Sequence, residues 1–109
     1  MAAPSVATSG IASVPVGTEL FVAVATLGGV FVWKVDVSSQ VASDITILRI
    51  YDVVASGGTS VPAFVGAYSH AQVQDAKYSP PVPVTEYIRC SIENVRGGQR
   101  NFRFALLVL

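Results

Sequence analysis

A chain of 109 residues can bury one hydrophobic core and is too short for two. Its hydrophobic residues reach 51% while charged residues make up only 13%, about half the share of an average globular chain, so much of the exterior must be Ser, Thr, Gly, Ala and Val. The formal net charge is zero and no basic run occurs, which removes the attraction that dominates DNA and RNA binding.

Residues 1–17 contain Ala, Ser, Pro, Val and Gly without charge or period, and read as an extended N-terminal arm. The opening Met1-Ala2-Ala3-Pro4-Ser5 lacks a positive charge followed by an apolar block, so no secretory signal is expected. The folded domain is expected over 18–109. Its first strand is predicted at Glu19 to Ala25, and a second at Phe31 to Val37. There Phe31, Trp33, Val35 and Val37 share one face, and Lys34 and Asp36 the other. Between them, Leu27-Gly28-Gly29-Val30 suits a two-residue hairpin turn, because both central positions need positive φ.

A third strand, Asp44 to Val54, is mostly apolar on both faces and is expected to be central. A Gly57-Gly58 loop leads to a fourth, Val61 to Tyr68, placed at an edge because Pro62 cannot donate a ladder hydrogen bond. Ser69 to Ser79 reads as irregular, and Pro80-Pro81-Val82-Pro83 as a stiff polyproline II crossover. Val84 to Val95 is the fifth strand, with Ile88, Cys90 and Ile92 inward. Arg96-Gly97-Gly98-Gln99 is a second expected hairpin, leading to the sixth strand, Asn101 to Leu109. That strand ends apolar on both faces, which places it in mid-sheet or at a subunit boundary. The expected fold is therefore all-β: an antiparallel β-sandwich or jelly-roll-like barrel of about six to eight strands.

Candidate chemistry is sparse. His70 lies beside Ser69 with Asp75 nearby, yet no nucleophile elbow accompanies them, so a loop histidine is the expectation. The lone Cys90 excludes an internal disulfide and reads as a small buried hydrophobe. The carboxylates have no metal-loop spacing, and no cofactor, metal site or catalytic residue is expected. No apolar run approaches the roughly 20 residues of a membrane helix, so no membrane contact is expected either. Arg96, Arg100 and Arg103 are the one basic concentration. With Leu107 and Leu109 they form the candidate partner contact, weighed against a solvated turn that keeps the sheet end soluble. A surface so short of charge is poorly protected against association, and part of it is expected to be covered by protein.

The segments Asp44 to Tyr51, Ala67 to Gln72 and Lys77 to Pro83, followed by Asn101-Phe102-Arg103-Phe104 and the Leu-rich end, resemble small proteins encoded among the structural genes of tailed bacteriophages. The likeness spans roughly residues 29 to 109 and leaves out the arm. It implies a β-rich virion component made in the host cytoplasm, most closely a capsid cement or decoration protein. Such a protein would associate with itself, as an expected trimer, and contact the major capsid protein or another virion protein. A tail or neck component is the alternative within the virion. A carbohydrate-binding or adhesion module using exposed tyrosines is the alternative outside it.

Overall fold

The computed structural model describes residues 5–26 and 28–109. Among them are nine strands and no helix: β1 (Ser5–Val14), β2 (Glu19–Ala25), β3 (Gly29–Asp36), β4 (Ile45–Val53), β5 (Ser60–Ser69), β6 (Ala76–Tyr78), β7 (Val82–Val84), β8 (Ile88–Arg96) and β9 (Arg100–Val108). They form an antiparallel sandwich of two sheets. The five-stranded sheet runs β1-β9-β3-β6 with β7 also on β3, and the four-stranded sheet runs β2-β8-β4-β5.

Alternation of apolar and polar residues builds the core. Phe31, Trp33, Val35 and Val37 all turn inward, as their period requires, and meet Leu48 and Ile50 of β4 and Ile88, Cys90 and Ile92 of β8. Phe102 and Leu106 of β9 complete the layer. Each such large side chain contributes about 1.5–3 kcal/mol by leaving water. β4 is interior and β5 is at an edge, both as expected.

Three expectations of local structure are corrected. Residues 5–14 are not an arm outside the domain but β1, paired along its length with β9 from Ser5 opposite Val108 to Val14 opposite Arg100. The physical reason lies in β9, whose apolar end needs a strand on both sides. Met1 to Pro4 of the expected arm lie outside the described residues. Neither Gly28-Gly29 nor Gly97-Gly98 closes a hairpin, because each joins strands of different sheets: β2 to β3 and β8 to β9. Leu27 of the first expected turn lies outside the described residues.

Only β4 and β5 are consecutive strands that pair, so the chain otherwise shuttles between sheets or skips a neighbour. Gly97 shows what the second pair does instead. Its φ is +118°, and a Cβ there would collide with the Asp44 carboxylate. The expected irregular stretch and polyproline crossover both prove partly strand, because Ala76–Tyr78 pairs with β3 as β6. Val82–Val84 pairs with β3, and between β6 and β7 Ser79 bonds Trp33 through both its amide (2.8 Å) and its hydroxyl (2.9 Å).

Candidate protein-contact face

The outer face of the five-stranded sheet is assembled by register. Along β9, Phe102 and Leu106 are buried and Phe104 and Val108 pack against the core, so Arg103, Ala105 and Leu107 point outward. Each lies opposite a residue of β1 and a residue of β3. Leu107 faces Val6 and Val32, Ala105 faces Ser9 and Lys34, and Arg103 faces Ile11 and Asp36. Directly opposed residues share a face, so these are three rows across the sheet. One end is apolar: the Val6, Leu107, Val32 row continues into Leu109, whose amide donates to Val30 O at 2.8 Å. Val6 is 60% exposed and Leu109 61%.

The other end is charged and slightly hollow. Two adjoining depressions of about 190 and 290 Å³ share Asp36 and Arg103, the larger also bordered by Lys34, Ala76 and Ala105. The Ser38 amide donates to Asp36 Oδ1 at 2.9 Å. That bond, with the Ser38 hydroxyl and the charge of Arg103, holds the Asp36 carboxyl below its ordinary value despite some desolvation. Among the described residues neither Lys34 nor Arg103 forms an ion pair, though Lys34 Nζ lies 5.8 Å from the Tyr78 ring centre. The face thus offers an apolar strip beside two uncommitted cations and one carboxylate.

The five candidate contact residues are only partly brought together. Arg103, Leu107 and Leu109 belong to this face. Arg100 does not, because it is spent on structure: its Nε donates to Asp44 Oδ2 at 2.8 Å and ties the start of β9 to the loop before β4. Burial would raise the Asp44 pKa, but the Arg100 bonds and the Val41 amide together lower it. Arg96 ends β8 in the other sheet, exposed and opposite Ile45.

The other singled-out side chains have local partners. His70 sits at φ +62° and accepts the Ser43 amide on Nδ1 at 3.2 Å, while its own amide donates to Asp44 O. Cys90 is fully buried, which pushes its thiol up to about 12. Trp33 is in the core, and of the tyrosines Tyr78 stands well exposed. Among the described residues, no group of three or more His, Cys, Asp or Glu is placed to hold a metal ion.

Sequence reasoning missed a polar network on the outer face of the four-stranded sheet. Glu19 Oε2 accepts from Ser91 Oγ at 2.6 Å and from Tyr51 O–H at 2.7 Å. Arg49 Nη1 lies 2.7 Å from Glu93 Oε1 and 3.4 Å from Glu19 Oε2. Burial opposes the Glu19 charge, but the Ser91, Tyr51 and Arg49 contacts outweigh it and lower its pKa. Beside them Arg89 stacks on Phe21, 4.0 Å from the ring centre. The signal was present: Arg49 and Tyr51, like Ser91 and Glu93, are polar residues two apart on strands with apolar alternates. No protein-family model, curated protein or solved structure matches this chain.

Proposed function

We propose that this chain is a virion structural protein, a capsid cement or decoration protein that binds neighbouring capsid subunits through the outer face of its five-stranded sheet. The observation that carries the reading is the apolar strip of exposed Val6 and Leu109 with half-buried Leu107 and Val32, on a chain so poor in charge. A contiguous apolar strip rimmed by polar groups favours protein contact. Lys34 and Arg103 beside it suit acidic groups on the partner, and arginine's fork fits a carboxylate.

In such a role strength comes from repetition. An oligomer, a trimer on this reading, that sits on a symmetric lattice makes its later contacts at high effective concentration, so modest contacts per subunit suffice. By bridging capsomers it would resist the outward pressure of packaged DNA. Image reconstruction of purified particles tests the proposal. The expected result is density for a small sandwich at capsomer junctions in hundreds of copies. A ring of about a dozen copies would move it to the neck or tail. Its absence from the particles would overturn the reading.

A further inference from the structure

The two longest strands, β1 and β5, are the free edges of their sheets, and neither holds a charged residue in its ten positions. Natural edges are usually blunted by lysine, by brevity or by cover. β6 and β7 are three residues each, and the β2 edge begins with Glu19. β1 and β5 carry neither charge nor cover; their guards are one β-bulge each, at Ala7 in β1 and at Ala63 beside Pro62 in β5. No residue of β5 is buried, and none of Ser5 to Ile11 in β1. Each is thus a long strand hydrogen-bonded along one side, anchored to the core by Ala12 and Val14 in β1 and by Phe64 and Tyr68 in β5.

We infer that the free edge of β5 receives the free edge of β1 from a second copy of this chain. Four observations select that occupant. The edges match in length, ten residues each. The absence of charge means no register opposes like charges. Both edges carry exposed apolar side chains that pairing would cover, Val6 and Ile11 on β1 and Val61 and Val65 on β5. The edges also lie on opposite flanks of the sandwich: β1 packs near β2, whereas Tyr68 of β5 lies 5.0 Å beneath Lys77 Nζ, beside β6. Pairing β5 with itself would leave every β1 open; pairing β5 with β1 uses both edges and continues the four-stranded sheet of one copy into the five-stranded sheet of the next. Such head-to-tail contacts give a ring where the rotation between copies closes and an open filament where it does not. A pairing about 33 Å long makes about ten hydrogen bonds, the number in a typical protein interface.

The inference shares only self-association with the proposed function, and the two fail separately. Particles lacking the protein would remove the virion role and leave strand pairing intact. The test uses two blocked variants, both altered at exposed positions: Ala7→Lys with Ser9→Lys in β1, and Ala63→Lys with Val65→Lys in β5. In light scattering the wild type is expected to be an oligomer of several copies and each variant alone a monomer of 11.4 kDa. An equimolar mixture of the two should form a dimer of twice that mass, because each supplies the edge the other lacks. A wild type that stays monomeric at high micromolar concentration overturns the inference. So does a β1-blocked variant that keeps the wild-type mass, the mark of β5 paired with itself. Hydrogen exchange on the unmodified protein guards against a folding defect in the variants. Amides of β1 and β5 should exchange at least tenfold more slowly at high than at low protein concentration, and equal rates count against the pairing.

Discussion

The two outer faces of the sandwich answer the same shortage of charge in opposite ways. On the four-stranded sheet, Glu19, Arg49, Tyr51, Ser91 and Glu93 bond one another across three strands, so polar groups brought together by register satisfy themselves within the molecule. On the five-stranded sheet the corresponding rows carry Val6, Leu107 and Val32, with Lys34 and Arg103 left without ion pairs among the described residues. Strand pairing is similar beneath both. The network's polar groups need no partner, although Phe21, Val24 and Val65 stay exposed around it, whereas unpaired cations beside an apolar strip gain by acquiring one.

The contrast can be broken by substitution. The largest effect is expected at Asp44, the buried carboxylate that joins the two sheets' ends through Arg100. Asp44→Ala should cost about 3 kcal/mol in urea unfolding, because it strands a guanidinium and the Val41 amide together. Next comes Arg49→Ala, which leaves Glu19 and Glu93 facing each other without their shared cation and should cost about 2 kcal/mol.

Acid and base should act on the same face. The Glu19 pKa is lowered in the folded protein, so its contribution is present above its ordinary value of 4.5 and lost as pH falls through the folded value. Asp36 and Asp44 shift in the same direction and add to this acid loss. The Tyr51 pKa is raised, chiefly by its bond to Glu19, so its contribution is present below 10 and lost as pH rises through the folded value. Glu19→Gln should cost about 1 kcal/mol at neutral pH and flatten both limbs of a stability-against-pH curve. Unchanged limbs would show that the network does not couple to folding.

The smallest effect on folding is expected on the other face. Val6→Ser should move unfolding stability by less than about 0.5 kcal/mol, because Val6 is already 60% exposed. The same change should reduce retention on purified particles about tenfold, measured by sedimentation of particle with protein. A large loss of stability without loss of binding would invert the comparison.

Much of the strand layout was legible in the residues. The inward set of Phe31, Trp33 and Val35, and that of Ile88, Cys90 and Ile92, followed from period 2, and the structure buries both. The edge position of β5 followed from Pro62 and the interior position of β4 from its apolar faces. β1 was not legible, because Ser, Ala and Gly carry little pattern and its order comes from pairing with distant β9. Arg100 was grouped with Arg103 because they are three apart, yet one is bound by Asp44 and the other faces outward. Charge type could be read locally; the partner could not.

By itself, then, the order of residues determined the alternating strands and which of their faces avoid water, though not β1 or β6, since both properties depend on alternation within a few neighbours. Tertiary structure alone decided which sheet each strand joins. The two Gly-Gly turns looked like hairpins and prove to be crossings between sheets, because pairing energy comes from residues far along the chain. It also decided what each outer face gathers, where register across three strands joined polar side chains into a network on one and aligned an apolar strip on the other.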